Sequence, residues 1–252
     1  MASDRETILK KSSTLESSSW IVIPAYNEDE SLPRVLREIQ SHGRTENGSE
    51  PKLDYTIVVI DDCSAVPITQ LDLPEGVFVL RHLINLGQGA ALQTGISFAL
   101  SRGASEIVTF DSDGQHCVED IHRLVEPVSS GKYDVCLGTR FASGGSAVGI
   151  PLFRFYFLKL AVLFTRLTTG LALTDTHNGF RCFSRSAASQ ISITQNRMSH
   201  GSQILSEIKR CHLNFLEVPV TIRYTSYSLN KGQRLSNAFN IVWESTMELL
   251  RR

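Results

Sequence analysis

The sequence of 252 residues lacks most features of the protein classes that are easiest to recognise. Its five cysteines are scattered, odd in number and without a C-x-x-C pair, which favours a reducing compartment over a disulfide framework or a zinc site. The seven histidines contain no H-x-x-x-H pair, so we assign no histidine to a metal. The formal net charge is −1, and without a basic excess we predict no binding to nucleic acid.

Long apolar runs are also missing. The longest apolar stretch, 153–173, is interrupted by Lys159 and Arg166 and does not qualify as a transmembrane helix. Residues 1–19 are polar and serine-rich without an apolar core, so we predict a mobile tail and no signal peptide. These features predict a cytoplasmic protein, which could lie peripherally on the cytoplasmic face of a membrane.

Short patterns typical of buried strands alternate with helical patterns through the first half of the chain. Strands are predicted at 20–25, 56–60, 77–80, 107–110 and 135–137, and helices at 31–41, 89–102 and 118–130. The polar segment 43–52 is predicted to be a loop. This alternation predicts an α/β fold with a mostly parallel central sheet and helices on both faces.

The second half is less regular, and we predict that it completes a single domain spanning 20–252. Strands are predicted at 182–183 and 215–222, and helices at 152–169, 199–211 and 235–250. The helix at 152–169 combines apolar residues at helical spacing with Arg154, Lys159 and Arg166. It could lie at a bilayer surface, or it could pack on the core with a solvated basic stripe.

Two carboxylates one residue apart follow the strand predicted at 107–110. Asp111 and Asp113 can both turn toward the cleft above the sheet, where open α/β sheets bind ligands. Like charges held so close repel unless a cation lies between them, which favours Mg²⁺ or Mn²⁺ shared with substrate phosphates, with Gln115 as a further oxygen ligand. The alternative is a solvated Asp-Ser-Asp-Gly turn.

Two more strands end in polar groups. Pro24, Tyr26 and Glu28 follow the first strand, and Asp61 and Asp62 follow the second. The carboxyl ends of parallel strands share one edge of a sheet, so we expect these groups to converge on a ligand cleft. Each acid alone could instead be a helix cap.

The segment 85–90 precedes a predicted helix and contains two glycines. Its glycines could expose backbone N–H groups to a ligand at the helix N-terminus, or they could serve a tight loop and close packing of the helix. It lacks the G-x-G-x-x-G spacing of a dinucleotide fingerprint.

Three arginines lie next to predicted elements. Arg140 and Arg223 follow strands and Arg154 opens a helix, where a guanidinium suits bidentate contact with phosphate. Any one of them could instead be a surface charge. Asp175 could act as a general base or could pair with Arg181, and the sequence does not decide between these roles.

These segments resemble the family-2 inverting glycosyltransferases of GT-A fold, and especially the branch of dolichol-phosphate mannosyltransferases and polyprenyl-phosphate glycosyltransferases. The resemblance covers about 20–241. It rests on 23–28 (IPAYNE), 59–64 (VIDDCS), 85–90 (NLGQGA), 110–116 (FDSDGQH), 138–141 (GTRF), 178–181 (NGFR) and 218–224 (VPVTIRY), followed by Lys231. The set is specific in its order and spacing. Cys63 departs from it, because the family usually has glycine there.

The resemblance implies a glycosyltransferase that uses Mg²⁺ or Mn²⁺ to move a sugar from a GDP- or UDP-sugar to a lipid phosphate at a membrane surface. The implied contacts to the nucleotide sugar come from Pro24, Tyr26, Glu28, Asp61 and Asp62. The implied metal ligands are Asp111, Asp113 and Gln115. Arg140 and Arg154 would grip the acceptor phosphate, and Arg223 and Lys231 would lie on a mobile loop over the donor diphosphate. A separate membrane protein could be a partner.

The acceptor and the class of reaction leave alternatives. A phosphate acceptor is already anionic, whereas a saccharide hydroxyl, as in cell-surface glycan synthesis, needs a carboxylate to take its proton, for which Asp175 is the first candidate. A nucleotidyltransferase should carry a glycine-rich basic loop after the first strand, which segment 24–28 lacks. A non-catalytic nucleotide-binding protein would lose the acidic pair.

Overall fold

The computed structural model describes residues 19–42, 55–196 and 199–224. The strands are β1 (Ser19–Ala25), β2 (Tyr55–Asp61), β3 (Val77–Arg81), β4 (Glu106–Thr109), β5 (Val135–Thr139), β6 (Ser146–Val148), β7 (Arg181–Ser184), β8 (Phe215–Pro219) and β9 (Thr221–Arg223). The helices are α1 (Ser31–His42), α2 (Gln88–Ser101), α3 (Ile121–Ser129), α4 (Leu152–Thr169), α5 (Arg185–Gln190) and α6 (His200–Arg210). The predictions for 1–18, 43–52, 235–250 and Lys231 lie outside these ranges.

Seven strands form one mostly parallel sheet in the order β3-β2-β1-β4-β7-β5-β8. Only β7 among them runs antiparallel to its neighbours, β4 and β5. The registers place Ala25 opposite Asp61, and Val22 opposite Thr109. The ends of β1, β2 and β4 therefore lie at the same edge, which confirms the predicted α/β architecture.

Helices cover both faces of this sheet. Alternate residues of β1 point to opposite faces, so that Ile21 and Ile23 pack with α1 and α3, whereas Trp20 and Val22 pack with α2, α5 and α6. The strands between the two helix layers are buried on both sides, which explains their nearly continuous apolar sequences.

The prediction of one strand at 215–222 was wrong. β8 ends at Pro219, which has no N–H to continue the ladder with β5. Val220 donates its N–H to the Thr139 carbonyl at 2.9 Å, and the chain then enters β9, which pairs with β6 in a separate two-stranded sheet. Both strands of that small sheet are three residues long, too short for an alternating pattern to reveal them.

Helix α4 packs on the domain through Leu158, Val162 and Thr165. No helix within the described ranges is long and apolar enough to span a bilayer.

Candidate active site

The ends of β1, β2 and β4 are tied together by hydrogen bonds. Asn27 receives the Ala65 N–H on its side-chain oxygen at 2.8 Å and donates its own N–H to the Ser64 hydroxyl at 3.0 Å. The Ser112 hydroxyl donates to the Pro24 carbonyl at 2.9 Å. The predicted convergence of these strand ends is therefore confirmed.

Asp61 and Asp62, at the end of β2, lie inside this junction and not on its surface. Asp61 is 1% exposed and accepts the backbone N–H groups of Ser64 at 2.8 Å and Ile68 at 3.2 Å, together with an ion pair from Arg81. Burial alone would raise the pKa of Asp61, but these donors outweigh it and lower the pKa.

Asp62 organises the loop that leads into α2. Its carboxylate accepts the N–H groups of Leu86 at 2.9 Å and Gly87 at 2.7 Å, and contacts His82 Nδ1 at 2.8 Å. A negative charge at this end of a helix also complements the helix dipole. Both acids predicted to contact the nucleotide are thus bonded within the protein.

The segment 85–90 serves close packing. Besides the two N–H groups bound to Asp62, the Gly89 N–H donates to the Asn196 carbonyl at 2.9 Å. A side-chain carbon at Gly89 would lie 2.0 Å from the Gln195 carbonyl oxygen, so no other residue fits. The sequence left two roles open for this segment, ligand binding through its backbone N–H groups or close packing of the helix, and the structure shows the packing role.

Pro24, Tyr26 and Glu28 line the same edge from the β1 side. Glu28 is 8% exposed and accepts the Ser31 hydroxyl at 2.5 Å. Tyr26 is 48% exposed, so its ring is open to a ligand.

Asp111 opens the acidic turn, residues 111–115, and is held from two sides. Gln88 Nε2 donates to Oδ1 at 3.0 Å, and His116 Nε2 contacts Oδ2 at 3.0 Å. Burial alone would raise the pKa of Asp111, but the His116 contact contributes most to lowering it. The Asp111 side chain is still 30% exposed. Its orientation is therefore fixed while part of it faces the cleft.

Close packing around Asp111 supports that orientation. The His116 ring lies 5.2 Å from the Phe110 ring and 4.8 Å from the Phe180 ring, between centroids. Gly179 approaches so closely that a side-chain carbon there would lie 2.8 Å from Asp111 Oδ2.

Asp113 is the less satisfied member of the pair. Its Oδ1 accepts the Gln115 N–H at 3.0 Å. Burial, and then the negative charge of Asp111, raise the pKa of Asp113 to about 6. The charge on Asp113 is costly without a nearby cation.

The acidic turn fits a hard divalent cation. Asp111, Asp113 and Gln115 provide carboxylate and amide oxygens, which Mg²⁺ and Mn²⁺ prefer. Within the described ranges, no group of three or more His, Cys, Asp or Glu side chains is arranged to hold a metal. A cation at this turn would therefore need oxygens from a ligand, as Mg²⁺ bound through one or two carboxylates usually does.

Arg140 and Asp175 form a buried ion pair. Arg140 Nε donates to Asp175 Oδ2 at 2.6 Å, and Nη2 donates to Asp175 Oδ1 at 3.3 Å. Arg140 also donates to the His177 carbonyl at 2.9 Å and to the Tyr224 hydroxyl. The sequence left Asp175 either as a general base or as the partner of Arg181; in the structure its ion pair is with Arg140.

Arg181, the first residue of β7, is buried, and the charges of both Asp111 and Asp175 act on it. Burial lowers its pKa to about 10, and the negative charges of Asp111 and Asp175 partly offset this effect.

Of the other three basic residues predicted for the site, the structure describes the side chain of Arg223 alone. Arg223 ends β9 with an exposed side chain, and its N–H donates to the Gln115 carbonyl at 2.9 Å, which puts it beside the acidic turn. Arg154 lies in the first turn of α4, but its side chain, like all of Lys231, is outside the described part.

Sequence reasoning missed Gln88, His116 and Tyr224. Gln88 lies in the segment 85–90 and His116 in the segment 110–116, but the local sequence does not show that both contact Asp111. Tyr224 follows Arg223, and its partner Arg140 is 84 residues away in sequence.

The fold defines the class of protein first. Glucosyl-3-phosphoglycerate synthase from Mycobacterium tuberculosis, solved with Mn²⁺ and uridine-diphosphate-glucose, is similar with a TM-score of 0.69. The match covers 94% of this chain and 79% of that one at 16% identity, so it shows the fold alone. That fold is GT-A, as predicted.

The sequence then places the chain within that class. The glycosyl transferase family 2 profile matches residues 20–192, more than half of the chain, so the protein belongs to glycosyl transferase family 2 and is a glycosyltransferase.

Curated relatives match over most of their length. The chain is 28% identical to UDP-N-acetylglucosamine–dolichyl-phosphate N-acetylglucosaminyltransferase from Methanococcus voltae, over 90% of this chain and 94% of the relative. It is 30% identical to polyprenol monophosphomannose synthase from Mycolicibacterium smegmatis, over 83% and 78%. An uncharacterised protein from Methanocaldococcus jannaschii is 32% identical over 91% of both chains.

Proposed function

We propose that this glycosyltransferase moves a sugar from a nucleotide-sugar donor to a polyprenyl or dolichyl phosphate, with inversion and with a divalent cation. The observation that carries the proposal is the acidic turn, where Asp111 is held in place and partly exposed, and where burial and the negative charge of Asp111 raise the pKa of the neighbouring Asp113. The acceptor class is supported by the relatives named for dolichyl phosphate and for polyprenol monophosphomannose.

Asp111, Asp113 and Gln115 would hold Mg²⁺ or Mn²⁺ against the donor diphosphate. When bound, the cation would stabilise the negative charge that develops on the leaving diphosphate. Gln88 and His116 keep the Asp111 carboxylate in one orientation, which limits the reorganisation needed when charge develops.

The other contacts to the donor follow from exposure. Tyr26 is open at the strand-end edge and would contact the nucleoside, and Pro24 and Glu28 would form the wall beside it. Asp61 and Asp62 support this wall from inside through their bonds to the 64–68 and 86–87 backbone. Arg223, beside the acidic turn, would meet the diphosphate together with Lys231.

The Arg140–Asp175 pair favours a phosphate acceptor over a saccharide hydroxyl. A hydroxyl acceptor needs a free carboxylate to take its proton. Asp175 already accepts bonds from Arg140 at both oxygens, from the Arg140 backbone at 3.2 Å and from the His177 N–H at 3.3 Å. A phosphate oxygen is anionic at neutral pH and can attack the anomeric carbon without such a base, from the face opposite the diphosphate.

Within this proposal Arg140 has a positioning role, because its bonds to Asp175, the His177 carbonyl and the Tyr224 hydroxyl hold these three groups together. Arg154, in the first turn of α4, remains a predicted second contact to the acceptor phosphate.

A transfer assay with matched acceptors tests the function. The protein with Mn²⁺ would be given GDP- and UDP-sugars together with dolichyl phosphate, dolichol or a saccharide. We expect transfer to dolichyl phosphate, none to dolichol, and loss of transfer when EDTA is added. Transfer to the saccharide alone would show that the acceptor assignment is wrong, and full transfer in excess EDTA would show that no metal is needed.

A further inference from the structure

Strand β8 carries a carboxylate on a covered face of the sheet. Leu216 and Val218 pack with α1 and α3, whereas Phe215 packs on the opposite face, which α2, α5 and α6 cover. Alternate residues of a strand point to opposite faces, so Glu217 lies on the same side as Phe215. The register places Glu217 beside Leu137 of β5, which belongs to the apolar cluster of that face. A carboxylate at such a position is costly unless hydrogen bonds compensate for its lost hydration.

Glu217 obtains this compensation from two successive backbone N–H groups. The Thr174 nitrogen lies 2.7 Å from Oε1 and 3.0 Å from Oε2, and the Asp175 N–H donates to Oε1 at 3.2 Å. The Thr174 hydroxyl also lies 2.7 Å from the Thr139 hydroxyl. The backbone that leads into Asp175 is therefore fixed both from β8 and from the end of β5.

The Asp175 carboxylate depends on this fixed backbone. It forms an ion pair with Arg140 in which the two side chains are 1% and 6% exposed. A buried ion pair offsets the lost hydration of its charges only when its geometry is close to ideal. The backbone N–H groups of Arg140 and His177 donate to the same carboxylate at 3.2 Å and 3.3 Å, so its orientation affects several contacts at once.

We propose that Glu217 is a positioning residue for the sugar-transfer reaction, which orients Asp175 and, through Asp175, the Arg140 guanidinium. The proposal rests on the proposed function, because it assigns this network to the acceptor, whose predicted contacts Arg140 and Arg154 follow β5 in the chain. Glu217 itself would touch neither substrate.

Amide hydrogen exchange tests the positioning without any catalytic step. In Glu217→Gln one oxygen remains as an acceptor, and the new NH₂ group faces N–H donors that it cannot accept. We expect exchange to become at least about tenfold faster at Thr174 and Asp175, and also at Arg140 and His177, whose N–H groups donate to Asp175. NMR measures the four amides separately. If only Thr174 and Asp175 changed, Glu217 would close the loop without orienting Asp175, and the proposal would be overturned.

Sugar transfer measures the consequence for the reaction. A misplacement of about 1 Å can cost about a hundredfold in rate, so partial loss of this support should lower kcat/KM for dolichyl phosphate about tenfold. The affinity for UDP or GDP with Mn²⁺, measured by calorimetry, should not change, because Gln88 and His116 hold the acidic turn. The calorimetric number of binding sites should also stay constant, whereas partial unfolding would lower it together with the transfer rate.

Asp134→Asn is the matched control. Asp134 precedes β5 and accepts the Asn214 N–H at 2.9 Å, so it also fixes backbone through a carboxylate, but at the starts of β5 and β8. Its replacement should lower the melting temperature, as Glu217→Gln does, while leaving transfer and the exchange at Arg140 and His177 unchanged.

Glu217→Ala extends the series. It removes the acceptor of both N–H groups and should lower kcat/KM for dolichyl phosphate about a hundredfold. If this variant does not fold, Glu217→Gln still decides, because it keeps the volume of the side chain and one acceptor.

Two kinetic results would overturn the proposal: an unchanged kcat/KM in Glu217→Gln, or a loss of UDP and GDP binding that equals the loss of transfer. A failure of the proposed function gives a different result. The wild type would then bind UDP or GDP but transfer no sugar to dolichyl phosphate, while exchange at Arg140 and His177 would still respond to Glu217→Gln.

Discussion

Two acidic pairs follow the strands that flank β1, and the protein uses them in opposite ways. At the end of β2, Asp61 and Asp62 are 1% and 3% exposed and are surrounded by N–H donors. After β4, Asp111 is 30% exposed in its side chain and Asp113 accepts a backbone N–H from Gln115. The same signal in the sequence therefore has two physical outcomes.

The difference between the pairs is one of charge compensation. Donors within the protein lower the pKa of Asp61, so its charge stabilises the strand-end junction. Burial and then the negative charge of Asp111 raise the pKa of Asp113 to about 6, so the charged form of Asp113 is destabilised where that of Asp61 is stabilised. The first pair shapes the site, and we propose that the second binds the metal.

Asp113→Asn gives the largest expected effect. Loss of one carboxylate from the metal site should lower kcat/KM for sugar transfer at least about a thousandfold, because a bound cation contributes several kcal/mol to catalysis. The melting temperature in EDTA should not fall, because the variant removes a charge that the fold does not compensate. Transfer rates and thermal unfolding measure the two effects.

The pH dependence of stability provides a control for this variant. A carboxyl whose folded pKa is raised favours folding below its unfolded pKa and loses that contribution as the pH rises through about 6. We therefore compare the free energy of unfolding of the wild type with that of Asp113→Asn in EDTA. As the pH is lowered from 7.5 to 5, this free energy should rise in the wild type relative to the variant by about 1 kcal/mol, after allowance for solvent screening. A gap that does not change with pH would contradict the raised pKa.

Asp62→Asn should lower the stability of the fold, which Asp113→Asn leaves unchanged, and its expected effect is smaller. The neutral amide cannot accept the bonds from Leu86, Gly87 and His82 together, so we expect the free energy of unfolding to fall by about 2–3 kcal/mol and the melting temperature by about 5–10 °C. Thermal unfolding in EDTA measures this. An unchanged melting temperature together with lost nucleotide binding would mean that Asp62 contacts the donor directly.

Local sequence patterns were sufficient to predict the strands of the seven-stranded sheet, five of the six described helices and the meeting of three strand ends, but they missed α5 and β6. Apolar runs identify strands, and parallel strands share their carboxyl edge, so Asp61 and Asp111 were expected at the same edge of the sheet. The partners of each acid were not predictable in this way. Asp62 is bonded to groups 20 to 25 residues later, and Arg140 is bonded to Asp175 35 residues later.

The side on which α4 packs against the domain was likewise not predictable from the sequence. Its periodicity predicts an apolar stripe, but periodicity does not state which side of a helix meets the domain. Only the packing of Leu158 and Val162 shows that the stripe of Leu160 and Leu167 faces outward.

Gln88→Ala should weaken the metal site moderately. Gln88 holds one oxygen of Asp111, and loss of such an orienting bond typically lowers metal affinity about tenfold. Calorimetry with Mn²⁺ in the presence of a nucleoside diphosphate measures the change. In the Asp111→Asn background Gln88→Ala should add little, whereas independent, additive losses would show that Gln88 acts on another group.

Cys63→Gly should produce the smallest effect, and a favourable one. Cys63 follows the internal acidic pair with φ of 65°, in the left-handed region where a side chain costs about 1–2 kcal/mol. Glycine removes that strain but gains freedom in the unfolded chain, so we expect a net stabilisation of about 0.5 kcal/mol and a rise of about 1–2 °C in melting temperature. Cys63→Ala is the control, because it also removes the weak Sγ contact to the Leu83 carbonyl at 3.5 Å while keeping a side chain at positive φ. If both variants lowered the melting temperature equally, the sulfur contact would outweigh the backbone strain.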